Sequence, residues 1–430
     1  MARKADRLAA AMTPVLGDPL PVRIRAWDGS EAGPPDAPAL VFRDRRALRR
    51  LLWRPGKLGL ARAWVAGELD VDGDLFDALE RLAGFVDEHD ATRSWHRDAR
   101  RALATMRDRQ TMSALREMVL LAGGPGFPPA PPPEENRRRR GTRHSVRRDR
   151  AAISHHYDVG NDFYALLLGP SMVYSCAYWN GPDGGLGTLE DAQAAKLDLV
   201  CRKLDLREGD RLLDVGCGWG SMALHAARHY GARAVGVTIS AEQAALARER
   251  VAHAGLSDRV DIRIQDYREI TDGPYDAICS IGMAEHVGSA RYRQYAETLY
   301  GLLEPGGRLL NHQISRRPMP DEKAYRLDEF IDRYVFPDGE LTPLGTTVKL
   351  IEDTGFEIRH VEALREHYGP TLRAWVRNLE THWAEAIALV TPGRARVWRL
   401  YLAASALAFE RNRIGVDQVL AKRDATGQPE

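Results

Sequence analysis

Between Arg211 and Ser315 the chain alternates short apolar runs with segments of helical periodicity. "RLLDVG" (Arg211–Gly216), "ARAVGVTIS" (Ala232–Ser240), "VDIRIQD" (Val260–Asp266), "YDAICSIG" (Tyr275–Gly282) and "GRLLNHQIS" (Gly307–Ser315) have the length and apolar character of buried strands. Between them, "SMALHAARHYG" and "AEQAALARERVAHAG" repeat apolar residues at helical spacing. Strand, helix, strand at this rhythm predicts an α/β, Rossmann-like domain, a doubly wound and mostly parallel sheet. Ligands are expected at the carboxyl ends of its strands.

Upstream the pattern is different. "PVRIRAWDG" and "ALVFRD" predict short strands, and "RDRRALRRLLWRPGKLGLARAWVAG" and "DLFDALERLAGFV" predict helices. Together they predict a smaller α+β accessory domain over residues 1–122, suited to a lipid or subunit contact. Leu51, Leu52 and Trp53, set among arginines, suit either a membrane-facing surface or an ordinary amphipathic helix packed on its own domain. Residues 123–150, "GGPGFPPAPPPEENRRRRGTRHSVRRDR", form a Pro- and Arg-rich linker. The larger domain, with the strand–helix alternation, is then expected over residues 151–430.

Composition narrows the picture. The 61 basic and 60 acidic residues nearly cancel, so net charge points to no partner. The linker does concentrate charge, with eight arginines between Arg137 and Arg150. These read as a solvated connector, or as a contact with anionic lipid headgroups at about 1 kcal/mol per basic residue. No aromatic residues interleave for base stacking, so nucleic acid is not expected as a partner. No apolar run is long enough to span a bilayer, and the basic start lacks the apolar core of a secretory leader. Cys176, Cys201, Cys217 and Cys279 show no zinc spacing. Free thiols, no metal site and a cytoplasmic location are expected.

The first strand runs into "LLDVGCGWG". Gly216, Gly218 and Gly220 let a ligand lie against the backbone. The loop is shorter than the form that seats a pyrophosphate on a helix N-terminus. Asp214 precedes it, placed to face a cationic amino acid moiety; both details favour S-adenosylmethionine over a dinucleotide. The second strand ends in "VTISAEQ" without an acid for ribose hydroxyls, which leaves Thr238, Ser240 and Gln243 as polar contacts. Ser240 and Gln243 also fit a capping box. In "QDY", Asp266 is placed to accept from an adenine amino group, or is simply a turn aspartate.

"HYDVGNDFY" (His156–Tyr164), "YSCAYW" (Tyr174–Trp179), "LEDAQAAKLDLVCRKLDL", "LLDVGCGWG", "VGVTISAEQ", "QDYR" and "GMAEHVG" stand in the order found in cyclopropane-fatty-acyl-phospholipid synthases. The chain resembles that family over most of residues 150–420, and weakly at "AWVAGELDVDGDLFDAL" upstream. The resemblance implies an S-adenosylmethionine-dependent methyltransferase acting on the double bond of unsaturated acyl chains in phospholipid. It implies cofactor contacts at Tyr174 and Ser175, along the loop with Gly216, Cys217, Gly218 and Gly220, at Thr238, Ser240 and Gln243, and at Gln265, Asp266 and Tyr267. It further implies a bicarbonate ion held by Cys176, Glu285, His312, Ile314 and Tyr368.

The implied chemistry explains such a set. An alkene is a poor nucleophile, so the methyl must be held close and in line. Attack leaves a carbocation, which aromatic faces stabilise without reacting. Tyr157, Tyr174, Tyr178, Trp179 and Trp219 are the candidates. Ring closure releases a proton to a small weak base, oriented by Glu285, His312 and Tyr368. Metal binding by the adjacent Glu285 and His286 is not expected, because neighbouring side chains diverge. Ser405 replaces the cysteine many members carry in the C-terminal helix, and Ala284 replaces a phenylalanine before the Glu-His pair.

Cyclopropane formation is the leading product. The alternatives are methylene- or methyl-branched fatty acid synthesis by the same transfer, with a reductase partner, and small-molecule methylation on nitrogen or carbon. The expected setting is peripheral, on the inner membrane face; homo-oligomerisation stays open.

Overall fold

A computed structural model describes residues 3–92, 108–124, 126–136, 159–179 and 187–425. His156, Tyr157 and the Arg137–Arg150 run fall outside the described residues. By internal contacts the chain divides into two units: Met1–Arg137 with Thr391–Leu407, and Arg138–Val390 with Ala408–Glu430.

The first unit holds a four-stranded sheet in the order β2-β1-β3-β4: β1 (Arg23–Arg25), β2 (Glu31–Ala32), β3 (Ala39–Phe42) and β4 (Leu69–Asp72). The long basic helix expected after β3 is two helices, Arg46–Trp53 and Lys57–Val65. Pro55 and Gly56 break it, Gly56 taking a φ of 96°. Leu51 and Leu52 pack against the unit's own core while Trp53 stays 52% exposed, so one of those three apolar residues faces water. Thr391–Leu407, expected within the catalytic domain, groups with this unit. Arg396 pairs with Asp70 at 3.1 Å, and Trp64 Nε1 donates to the Arg396 carbonyl at 2.8 Å.

The second unit is built on a sheet ordered β11-β12-β9-β8-β5-β6-β7, with β10 (Thr342–Pro343) paired to β9. The five expected strands are β5 (Arg211–Val215), β6 (Arg233–Thr238), β7 (Val260–Ile264), β8 (Tyr275–Ile281) and β9 (Leu303–Arg316), all parallel. Two further strands close one edge antiparallel: β11 (Phe356–Ala363) and β12 (Ile414–Arg423), with β12 lying between β11 and β9. This is the α/β, mostly parallel architecture of the expected class. Two apolar cores flank the sheet, one around Val200, Ala226 and Ala247, the other around Ile278, Tyr295 and Leu299.

Candidate active site

The loop after β5 is shaped by glycine. Gly216 and Gly220 have φ near 79°, in the left-handed region, and a Cβ at Gly220 would meet the Ala247 Cβ at 3.3 Å. The Gly216 and Cys217 amides both donate to the Val237 carbonyl at 3.0 Å, tying the loop to β6. A Cβ at Gly218 would meet nothing within 4 Å, so the loop leaves open space on that side for a ligand. Cys217 turns its side chain inward against Gly236, which leaves its backbone as the part a cofactor can reach.

Around the loop the polar residues at the strand ends satisfy one another. Thr238 Oγ1 donates to Gln243 Oε1 at 2.9 Å, and the Gln243 amide donates to Ser240 Oγ at 3.3 Å. Half of the expected capping box forms; the glutamine side chain goes to Thr238 instead. Gln265 Nε2 donates to the Glu269 carbonyl at 2.9 Å. Asp266 is buried, caps the short turn at Tyr267–Glu269 and takes two bonds from the Arg268 guanidinium, at 2.6 and 2.8 Å. Its carboxylate is thus already engaged by a cation. Tyr267 is buried with its ring edge-on to Tyr295.

Beneath the loop lie groups that sequence reasoning missed. The helix Leu189–Leu204 buries Gln193 and Lys196. Lys196 Nζ donates to Ser175 Oγ at 2.9 Å, and Gln193 Nε2 to the Ser175 carbonyl at 3.0 Å. Burial lowers the Lys196 ammonium to about 8, against the pull of Cys176, Asp214 and Cys279. Asp214 is enclosed: Cys279 donates to Oδ1 at 3.4 Å, while Oδ2 is buried with no partner among the described residues. Burial pushes this carboxyl up to about 6, with Cys279 and Lys196 opposing. The clue in the sequence is "LEDAQAAKLDL", which puts a glutamine and a lysine on the helix's apolar stripe.

Aromatic rings line the next stretch. Tyr174 packs against Tyr164 and Trp375 with centroids 5.7 and 5.4 Å away, and Tyr164 packs on Trp219 at 4.8 Å. Trp375, fully buried, has its Nε1 unpartnered among the described residues. Tyr368, on the helix Arg365–Thr381, stacks on Phe409 at 4.4 Å and meets Trp375 edge-on at 6.2 Å. Tyr178 stacks on His367, and Trp179 Nε1 donates to Thr371. Tyr164 and Trp375 join the aromatic set; Tyr178 and Trp179 are tied to His367 and Thr371.

The remaining expected residues meet at the ends of β8 and β9. Glu285 stands in the four-residue helix Ala284–Val287 after β8, and its Oε1 accepts from the Ile314 amide of β9 at 2.7 Å. Glu285 Oε2 is buried with no partner among the described residues. Burial pushes the carboxyl up to about 7, the Ile314 bond opposing. The Ile314 amide therefore orients Glu285. His312, two residues earlier, is 2% exposed and neutral; burial lowers it to about 3, helped by the charges of Lys196 and Lys203. Cys176 is fully buried, its thiol 3.7 Å from the Leu364 carbonyl, and burial pushes it up so that it stays protonated. The Leu364 amide in turn donates to Val416, the β12 partner of Ile314. That ladder ties Cys176 and the helix bearing Tyr368 to β9. Ala284 is buried in the core that includes Tyr292 and Tyr295.

Among the described residues no cluster of three metal-ligating side chains occurs, and no helix is long and apolar enough to cross a membrane. All four cysteines are free and buried.

Residues 144–419 match the family model described as mycolic acid cyclopropane synthetase. A probable fatty acid methyltransferase of Mycobacterium tuberculosis is 43% identical over 408 residues, 94% of this chain and 91% of its own. The cyclopropane-fatty-acyl-phospholipid synthase of Escherichia coli K12 is 39% identical over 268 residues, 62% of this chain and 66% of its own. The crystal structure of a mycolic acid cyclopropane synthase complexed with SAH and CTAB superposes with a TM-score of 0.59 at 33% identity, covering 64% of this chain and 98% of that one. With the glycine loop and strand-end groups described above, these matches establish that the chain belongs to the mycolic acid cyclopropane synthetase family and is an S-adenosylmethionine-dependent methyltransferase of the fatty-acyl methyltransferase or cyclopropane synthase kind.

Proposed function

We propose that the protein methylates the double bond of unsaturated phospholipid acyl chains, that the product is a cyclopropane, and that bicarbonate is the proton acceptor. The observation that carries this reading is Glu285, whose Oε2 is buried without a partner among the described residues and whose carboxyl is raised to about 7. Such an oxygen suits an anion that brings a hydroxyl proton to share, and would repel one that does not.

The open side of the loop at Gly218 and the unpartnered Asp214 Oδ2 fit S-adenosylmethionine, which supplies an electrophilic methyl group. Tyr174 and Ser175, the Gly216–Gly220 loop, Thr238–Gln243 and Gln265–Tyr267 would hold it, largely through backbone and shape. Bicarbonate would supply a base weak enough not to be methylated. Glu285 and His312 would hold it, with Cys176 as a neutral S–H donor and Tyr368 as a hydroxyl donor; the Ile314 amide acts through Glu285. Tyr174, Trp375 and Tyr368 supply aromatic faces for the positive charge that develops on the alkene.

The first unit and residues 123–150 are proposed to meet lipid or a second subunit, with Arg137–Arg150 drawn to anionic headgroups at the inner membrane face. A second reading, a methylene- or methyl-branched product completed by a reductase, is favoured by one fact. A relative matched along 94% of the chain is named a probable fatty acid methyltransferase. The test is incubation with unsaturated phosphatidylglycerol vesicles and S-adenosylmethionine carrying a 13C methyl, followed by 13C NMR of the lipid. A cyclopropane ring carbon is expected. An exocyclic alkene carbon would replace it with the branched reading, and label found only in soluble amines would remove lipid as the substrate.

A further inference from the structure

His312 lies directly across from Gln418 in the β9–β12 ladder, so both side chains project from one face of the sheet. Gln418 is fully buried, and its side-chain nitrogen is 3.3 Å from His312 Nδ1. An amide and an imidazole can face each other in two ways, and the pair alone does not choose. The choice is made one residue further out. Lys203, on the helix Leu189–Leu204, places Nζ 2.7 Å from Gln418 Oε1. An ammonium only donates, so the amide oxygen must face Lys203 and the amide nitrogen must face His312. That nitrogen only donates, so Nδ1 has to accept. Lys203 is fixed in turn by an ion pair with Glu362 on β11.

We propose that Lys203 and Gln418 are positioning residues that lock His312 in the tautomer with its proton on Nε2. The ring is then a one-way donor at the nitrogen left for the site. Burial lowers it to about 3, so it does not take up a second proton at neutral pH. This excludes His312 as the base and accounts for a fold that places a buried, neutral imidazole where a donor to an anion is wanted. The inference rests on the proposed role of His312 for its consequence in catalysis, though not for the tautomer itself.

The test separates the two. Long-range proton–nitrogen correlation spectra of protein labelled with 15N-histidine report the tautomer, with His312 assigned by its disappearance in His312→Asn. The wild type is expected to show an Nε2-protonated ring. Gln418→Glu presents two acceptor oxygens, so Nδ1 should become the protonated nitrogen. Removing a preorganised donor of this kind should lower kcat by roughly a hundredfold. Lys203→Met, which leaves the buried glutamine in place, should give a mixture of tautomers and a smaller loss, with Lys203→Arg restoring both. A wild-type ring protonated on Nδ1, or a tautomer unmoved in both Gln418→Glu and Lys203→Met, overturns the inference. The expected tautomer switch with unchanged kcat would uphold it and remove His312 from the reaction instead.

Discussion

Two carboxyls are buried at the ends of neighbouring strands of one sheet, and each leaves one oxygen without a partner among the described residues: Asp214 on β5 and Glu285 after β8. Their surroundings differ: Asp214 has the Cys279 thiol and the Lys196 ammonium beside it, Glu285 the Ile314 amide. Asp214 feels Lys196 and is raised to about 6, so it is mostly ionised at neutral pH. Among the described residues no cation acts on Glu285, and burial raises it to about 7, so at neutral pH it is about half protonated. An ionised, unpartnered oxygen is a place for a cationic group; a half-protonated one is a place for an anion with a proton to share. The same burial thus prepares two different acids, the aspartate held lower by the Cys279 thiol and the Lys196 ammonium, the glutamate opposed by the Ile314 amide.

The largest effect should come from neutralising each acid. Glu285→Gln keeps the shape and the Ile314 bond but removes the shared proton, and kcat should fall by roughly a hundredfold or more with little change in cofactor affinity. Asp214→Asn should do the reverse, weakening S-adenosylmethionine binding by calorimetry roughly tenfold or more, as expected for the loss of a charged interaction. Equal effects of both variants on both quantities would erase the distinction. The stability signs can be checked in the same proteins. Glu285 is raised from 4.5 to about 7, so the folded state holds a proton that the unfolded state has lost within that window. Its contribution is fully present below pH 4.5 and is lost as pH rises through 7, on the order of 3 kcal/mol. Glu285→Gln should therefore gain in Tm relative to the wild type between pH 5 and 8.

Lys196 offers a sharper cut. Lys196→Met removes a cation that, with the Cys279 hydrogen bond, helps keep Asp214 ionised, so Asp214 should rise above 6. Cofactor affinity at pH 7 should weaken by roughly twofold for a rise of one unit and by roughly tenfold for a rise of two, and recover as pH is raised. A loss independent of pH would make Lys196 a packing residue with no electrostatic task.

Most of the sheet was legible in sequence because its strands are buried on both faces and read as apolar runs. The antiparallel edge was not. β11, "FEIRHVEA", alternates with charge as an edge strand does, and β12, "IGVDQVLAKR", buries Asp417 and Gln418, which periodicity reads as surface. The same blindness hid Lys196, Lys203 and Gln193: polar residues on a helix's buried face break the pattern that finds helices. Glu285 and His312 were visible through motif resemblance, but their protonation depends on neighbours from other elements. Periodicity read the basic helix as one piece, although Pro55 and Gly56 carried the signal that divides it. Ala284, where the resemblance leads one to look for a phenylalanine, is buried in the core that includes Tyr292 and Tyr295.

The smallest effect belongs to the cofactor rim, and it tests whether a self-satisfied polar group differs from an unpartnered one. Ser240 Oγ caps the helix Ala241–His253 through the Gln243 amide, and Thr238 and Gln243 are bonded to each other. A hydroxyl used in this way spends one lone pair on the helix and keeps its own proton to donate. Ser240→Ala should cost about 1 kcal/mol of stability through the lost cap. At saturating cofactor kcat should be unchanged, and chemical denaturation with steady-state assays would read both quantities. A large fall in kcat with no loss of stability would mean that the hydroxyl leaves its cap to serve the reaction, placing Ser240 with Glu285 rather than with the frame.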